Sequence, residues 1–486
     1  MRILSILTWL PIVGLAAVLL LPRAQQHLAP KVALGAAGAA FAVAWGLLFS
    51  FDRGSAEPQF TEEATWIPEL GMTYSLGVDG LSYPLVLLTT LLTVVALLAS
   101  LNVERSPKAY CAWMLLLEFS ILGVFVARDW FLFYVFWEIA LVPMFFLIGL
   151  WGGPEKARAT MTFFLYTLGG SILMLVGIFA VYLAADPHTF DMTELAEASG
   201  GWSRSFQIGP FLAFFIGFAV KIPAFPLHGW LPLAHVQAPT PVSVMLSGVL
   251  LKLGAYGLLR VADTLPLGLR AVLPWLLGIA LTNILYGAFL AFRQDDLKAM
   301  VAFSSISHMG FVLLGVASLN HTGFAGALFM MLAHGVVTGG LFLLIGALYE
   351  RTHTMRLSEL GGRGGQAPVF AAFLTLGLLA SMGLPGLVQF VGEFQTLLGA
   401  FERWSLVVLL ATFGILVTAT FTLRVITGLF TGQADAGGVP MADLRPSELV
   451  ASVPLVVLAV VLGFFPGLAL GLSDETISAM SALAGS

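Results

Sequence analysis

The stretch Phe218-Ala-Val-Lys221-Ile-Pro223-Ala-Phe-Pro226-Leu-His228-Gly-Trp230 sets a lysine and two prolines inside an apolar run that continues on both sides. A helix through such a segment loses a backbone hydrogen bond at each proline. In water the freed carbonyls would hydrate, whereas in hydrocarbon they must be satisfied by protein or line an internal cavity. The surrounding solvent therefore decides the fold. Of the 486 residues 59% are hydrophobic and only 10% charged, which places the chain among integral membrane proteins and makes residues 1–486 one transmembrane domain.

Apolar runs lie near residues 4–22, 30–50, 80–101, 109–127, 130–151, 159–184, 208–235, 240–261, 270–292, 297–318, 322–349, 367–401, 405–430 and 449–471. Each is long enough as a helix to cross a hydrocarbon layer of about 30 Å, so the fold is expected to be all-α and polytopic with about fourteen transmembrane helices. Such uninterrupted runs exclude a barrel. The seventh span is cut by Pro223 and Pro226, and the twelfth by Met382-Gly383-Leu384-Pro385-Gly386. Broken helices five spans apart suggest an internal repeat, with units at 109–261 and 270–430. Because five is odd, the two units have inverted topology, the arrangement with which transporters build a site at the membrane midplane. Ordinary proline kinking is the plainer explanation of either break alone.

Lys and Arg concentrate in the loops that follow odd-numbered spans, at Arg23, Lys31, Arg105, Lys108, Lys156, Arg158, Arg293, Lys298, Arg351, Arg356, Arg363, Arg424 and Arg445. The other face carries the acidic stretches 57–69 and 186–197. The positive-inside rule then puts both termini outside the cytoplasm. The first apolar run also fits a signal peptide with small residues at Ala16 and Ala17, but it approaches span length and its removal would leave an odd number of helices.

A net charge of −5 without a long basic tract gives nucleic-acid binding nothing to rest on. The single cysteine, Cys111, cannot form an internal disulfide or hold an iron–sulfur cluster, and no haem-type or metal-type Cys/His spacing occurs. No cofactor is expected in this chain, and any electrons would travel in another.

Among the 22 Lys and Arg, Lys221 and Lys252 fall inside spans. Glu118 and Glu138 occupy the centres of spans four and five, His308 and His334 those of ten and eleven, and Glu393 follows the second break. A charged Asp, Lys or Arg costs about 2.5 to 3.5 kcal/mol at a helix centre, so the five Lys and Glu would cost on the order of 10 kcal/mol if unpaired and must pair or face internal water. A carboxylate beside a buried amine favours its charged form, and burial favours the neutral one. Pairing Glu138 with Lys221 and then separating them would drive a proton toward Lys252; His308 and His334 suit a relay at physiological pH, and Glu393 is the last station. Static ion pairs at Glu138, Lys221, Lys252 or Glu118, and interhelical hydrogen bonds at the histidines, are the plainer alternatives. His228 and His235 are expected to shape the turn after the break, and Arg128-Asp129 and Asp295-Asp296 to be solvated span ends.

The run from Phe218 through His235, continuing as Ala238-Pro-Thr-Pro241-Val-Ser243 to Leu251-Lys252-Leu-Gly254, resembles the signature of the antiporter-like subunits of respiratory complex I, the proton-translocating NADH:quinone oxidoreductase. Trp137-Glu138-Ile-Ala-Leu-Val-Pro143-Met, Leu150-Trp151-Gly152 and Gly77-Val-Asp79-Gly80-Leu-Ser resemble its M-type members, as does Gly392-Glu393-Phe394, where L and N types usually carry lysine. The resemblance runs from about the third span to the fourteenth. It implies a fourteen-helix unit of two inverted five-helix repeats, with Glu138 and Lys221 as the functional pair, Lys252 as the central lysine, His308 and His334 as relay histidines and Glu118 as an additional carboxylate. It further implies L-type and N-type partner subunits in the bilayer and a redox reaction housed elsewhere. A multisubunit cation/proton antiporter or membrane-bound hydrogenase built from the same module is the nearest alternative. A free-standing secondary transporter is a further one, disfavoured because the breaks lack a cluster of substrate-sized polar groups.

Overall fold

The computed structural model describes residues 2–362, 364–431 and 441–485, with side chains to 482 in the last segment; Arg363 of the orientation argument lies outside the described residues. The first helices are α1 (Ile3–Leu20), α2 (Ala29–Gly46), α3 (Tyr83–Leu98), α4 (Pro107–Val126), α5 (Trp130–Trp151) and α6 (Lys156–Ala184). Then come the short α7 (Met192–Ser199), α8 (Arg204–Lys221), α9 (Trp230–Gln237), α10 (Thr240–Met245) and α11 (Leu251–Thr264). The remainder are α12 (Pro266–Arg293), α13 (Leu297–Ala317), α14 (His321–Thr352), α15 (Pro368–Ser381), α16 (Val388–Phe430), α17 (Pro446–Phe464), α18 (Gly467–Leu470) and α19 (Asp474–Gly485). Among the described residues, 11 helices are long and apolar enough to cross a membrane, and α3 and α15 are shorter apolar helices. The difference from the expected count has local causes. Helix continuity stops at Lys221 and at Ser381, near the expected proline breaks, and α16 runs through a non-helical Trp404 that joins two helices end to end.

One element departs from an all-α chain. Strands β1 (Gln59–Ile67) and β2 (Met72–Val78) form an antiparallel hairpin closed at the left-handed Gly71. The first strand lies within the acidic stretch 57–69, which the sequence placed on the face opposite the basic loops. Its Glu62 accepts hydrogen bonds from Leu4 N and Ser5 N, satisfying amides at the start of α1 that have no partner within the helix. Asp129 does the same for α5 through Phe131 N and Leu132 N, Asp296 for α13 through Ala299 N, and Asn320 for α14 through Gly323 N.

Burial sorts the helices into layers. The segment from Thr240 to Thr264 is buried over its whole apolar window and α13 and α14 over 94%, while α2 and α17 reach only 22%. The helices that carry Lys252, His308 and His334 thus lie at the centre, and α2 and α17 face outward. Small residues allow the central backbones to approach: a side chain on Gly335 of α14 would come within 2.7 Å of the Gly248 carbonyl oxygen, and one on Gly254 within 2.7 Å of the Phe218 carbonyl oxygen.

Two expectations about charge are overturned. Arg128 and Asp129 are not solvated: Asp129 is 1% exposed, since it caps α5, and Arg128 turns inward to pair with Asp79 at 3.3 Å. Lys298, read as a loop residue, is 6% exposed and donates to the Ala238 carbonyl at 2.5 Å. At the loop face after α14, Arg351 binds Glu448 through two hydrogen bonds of 2.6 and 2.9 Å and also donates to the Ala442 and Asp443 carbonyls. Asp443 in turn accepts from Val369 N and Phe370 N at the start of α15.

This network generates a prediction. Arg351→Ala leaves Glu448 without its guanidinium, with the Arg445 amide still donating to it, and is expected to cost about 3 kcal/mol, read as a lower midpoint of thermal inactivation of the purified protein. Partial burial works to raise the Asp443 carboxyl, but the three amides it binds and the nearby Arg351 outweigh it and hold it below its ordinary value. Its contribution is therefore present above the unfolded carboxylate value of about 4 and lost as pH falls below it; Asp443→Asn is expected to lessen acid sensitivity in that window.

Candidate functional site

The site begins where α10 becomes α11. Residues Leu246–Leu250 form a π-helical turn, and Lys252 follows one residue into α11. The wider turn frees the Ser247 carbonyl to accept from Lys252 Nζ. The same Nζ lies 2.7 Å from His334 Nδ1 on α14. The neighbouring hydroxyls are engaged, Ser247 Oγ with Thr338 Oγ1 at 3.1 Å and Thr338 Oγ1 with the His334 carbonyl at 2.6 Å. Lys252 and His334 are both fully buried, and the Gly248 and Gly335 contact brings their helices close enough to touch.

From His334 the polar line continues across three helices. The rings of His334 and His308 stand edge to face with centroids 5.5 Å apart. His308 Nε2 lies 4.0 Å from Glu393 Oε1, and Gln389 Nε2 donates to that oxygen at 3.3 Å while also holding the Ser381 carbonyl at 2.8 Å. The break between α15 and α16 is what admits the carboxylate. Gly383 has φ +75°, and a side chain there would run into Glu393 Oε2. Sequence reasoning singled out Gly383 as a helix breaker only; its contact with Glu393 crosses ten residues of chain and has no local signature.

In the other half the ionisable groups Lys221 and Glu118 are buried without hydrogen-bond partners. Lys221 is the last residue of α8, 1% exposed, with its Nζ 4.9 Å from the centroid of the Trp137 ring. This is cation–π geometry. Glu138 is the next residue along α5, close enough for its charge to act on Lys221, but the two form no ion pair and neither Lys221 Nζ nor Glu138 Oε1 has a hydrogen-bond partner. The ion pair expected from the sequence is not formed in this structure. Ser171 and Tyr134 hydroxyls face the Glu138 carboxylate. Glu118 is fully buried on α4 and neither of its oxygens makes a hydrogen bond, so it stands apart from the Lys252 to Glu393 line.

The two histidines set aside as turn residues separate in the structure. His228 packs at the turn, against Phe225 and Tyr286 with ring centroids 5.7 and 5.3 Å away. His235 does not belong to the turn: it is fully buried on α9, stacked on Phe342 at 4.5 Å, within reach of the charges of Lys252 and Lys298. Among the described residues no three His, Cys, Asp or Glu side chains gather as a metal-binding group. Lys252, His334, His308 and Glu393 instead lie in sequence through the interior, with a hydrogen bond joining only the first two and both ring nitrogens of His308 unpaired.

Residues 127–420 match the family described as NADH:quinone oxidoreductase/Mrp antiporter, TM, and residues 63–127 match NADH-ubiquinone oxidoreductase chain 4, amino terminus. The chain is similar to NADH-quinone oxidoreductase subunit M of Rhodobacter capsulatus, 39% identical with 98% of this chain and 96% of the relative covered. It is also similar to NAD(P)H-quinone oxidoreductase chain 4 1 of Synechococcus sp. (strain JA-3-3Ab), 39% identical over 99% of this chain and 93% of that one. Among solved structures, a chain of respiratory complex I from Thermus thermophilus with bound NADH superposes with a TM-score of 0.91 at 33% identity, covering 99% of this chain and all of the other. A chain of the Mrp complex from Dietzia sp. DQ12-45-1b shares the fold, with a TM-score of 0.88 at 22% identity and full coverage of both. The chain belongs to the NADH:quinone oxidoreductase/Mrp antiporter transmembrane family, among its subunit M and chain 4 members.

Proposed function

We propose that this protein is the proton-translocating subunit M of an NADH:quinone oxidoreductase, carrying protons along its mid-membrane side chains while quinone is reduced in other subunits. The observation that carries the reading is the alignment of Lys252, His334, His308 and Glu393, in which successive groups stand at 2.7 Å between atoms, 5.5 Å between rings and 4.0 Å between atoms. A buried amine with one imidazole and one carbonyl for partners exchanges a proton with that imidazole at small cost in geometry. A static structural pair would not need the file to continue to His308 and Glu393.

The separated Glu138 and Lys221 supply the input. With Glu138 at a distance, the desolvated Lys221 ammonium is held by the Trp137 face alone, and its proton is readied for transfer toward Lys252. Bringing the carboxylate closer restores the charged lysine, so motion or neutralisation of Glu138 sets the direction. The breaks after Lys221 and Ser381, five spans apart, support two inverted five-helix units at 109–261 and 270–430 within a fourteen-helix chain. In this reading the chain holds no redox centre, lies in a bacterial inner membrane with both termini outside, and packs between L-type and N-type subunits. The cation/proton antiporter alternative shares the fold, but the relatives that match nearly end to end at 39% identity are quinone oxidoreductase subunits.

Three outcomes test the relay in the assembled complex reconstituted into liposomes. Glu138→Ala and Lys221→Ala should each leave the complex assembled and remove most proton pumping and coupled quinone reduction; an assembled variant with normal pumping sinks the pair. Glu393→Gln should impair pumping while Glu393→Lys retains part of it, because lysine also carries a proton; equal activity of wild type and both variants counts against a proton role. Gly383→Ala combines a left-handed backbone, worth about 1 to 2 kcal/mol of strain, with displacement of the Glu393 carboxylate, so pumping should fall although no titratable group is changed. Unaltered pumping would detach the break from the relay.

A further inference from the structure

The Gly77-Val-Asp79-Gly80 motif takes no part in the proton file, yet its aspartate is 2% exposed and fully engaged. Asp79 Oδ1 accepts from Arg260 Nη2 at 2.6 Å and from Leu81 N and Ser82 N at 3.0 and 3.1 Å, and Oδ2 faces Arg128 Nη1 at 3.3 Å. Burial works to raise this carboxyl, but the Arg260 and Arg128 charges outweigh it and hold it well below the usual carboxylate range, so it remains ionised. Arg260, itself 6% exposed, donates through Nε to Tyr256 OH at 3.0 Å, and Tyr256 OH donates to the Phe125 carbonyl at 3.2 Å. Gly80 N donates to Thr476 Oγ1 at 3.0 Å, and a side chain on Gly80 would come within 2.6 Å of the Leu472 carbonyl oxygen. The start of α3, the end of α4, the far end of α11 and the last helix therefore meet at one ion cluster.

Lys252, Tyr256 and Arg260 are four residues apart and share one face of α11. The near end of that helix joins the π turn Leu246–Leu250. A π turn holds one residue more than an α turn, so forming or closing it rotates the helix beyond by about 100° and shifts it by about 1.5 Å. The near end of α11 thus begins at a turn whose register sets its rotation, and Arg260 is held at its far end.

We propose that Asp79 is a positioning residue for proton transfer: by gripping Arg260 it sets the rotation and depth of α11 and so keeps Lys252 against His334. The inference rests on the relay reading above and adds a residue that touches none of the transferring atoms.

The test uses the full complex in liposomes, comparing Asp79→Asn, Asp79→Glu and Lys252→Ala for assembly, protons pumped per quinone reduced, and the pH profile of coupled activity. Asp79→Asn is expected to assemble, to lose pumping on the order of tenfold and to displace the pH profile, as a mispositioned transfer group does, with Asp79→Glu recovering part of both. If Asp79→Asn fails to assemble, Arg260→Lys, which keeps the charge but loses the fork, carries the same expectation. Normal pumping in assembled Asp79→Asn while Lys252→Ala is inactive overturns the positioning role alone. A loss that merely tracks the amount of assembled complex, with the pH profile unmoved, also overturns it. Normal pumping in Lys252→Ala overturns the relay reading itself.

Discussion

The meeting of Lys252 Nζ with His334 Nδ1 is the contact on which the interior is organised. A lysine at membrane depth costs a few kcal/mol unless something within the protein receives it, and lipid offers nothing. Its two partners come from different sources. His334 stands across a glycine seam that lets α14 approach, and the Ser247 carbonyl is released by the π turn in the lysine's own helix. Without small residues at 248 and 335 the helices would stand farther apart, and the amine would lose its imidazole. Packing and chemistry are one constraint at this point.

The broken helices serve the same constraint at the two ends of the line. At the first break α8 stops on Lys221, whose ammonium then rests on the Trp137 ring. At the second, α15 stops on Ser381 and the left-handed Gly383 leaves room for the Glu393 carboxylate, steadied by Gln389. Each interruption trades backbone hydrogen bonds for space around an ionisable side chain. Irregular backbone at this depth is tolerated where it is enclosed by protein, and both breaks adjoin the central helices.

Around this interior, fixed ion clusters hold helix ends at the two faces. Arg351, Glu448, Asp443 and the start of α15 form one, and Asp79, Arg260 and Arg128 form the other. The charges within them are paired and hydrogen-bonded, whereas Lys221 Nζ, Glu138 Oε1 and both ring nitrogens of His308 have no such partners. The ion clusters at the helix ends are thus fully satisfied, while several of the mid-membrane groups are not.

Composition, the length of the apolar runs and the two proline and glycine breaks were enough to read an all-helical membrane chain and to single out Lys221, Lys252, His308, His334 and Glu393, because an ionisable residue in an apolar run is conspicuous against its own neighbours. Sequence pattern also pointed to the family, through motifs contiguous in the chain. It did not reveal that His334 precedes His308 in the file, that Glu138 and Lys221 stand apart, that Gly383 abuts Glu393, or that Arg128, Arg260 and Lys298 turn inward. The β hairpin was equally hidden, since its polar residues alternate too weakly to declare a buried face. Local energetics, meaning how costly each residue is in lipid, is written in the order of amino acids; which groups touch depends on contacts between residues as many as 396 positions apart, as Gly80 and Thr476 are, and only the packed tertiary structure decides those.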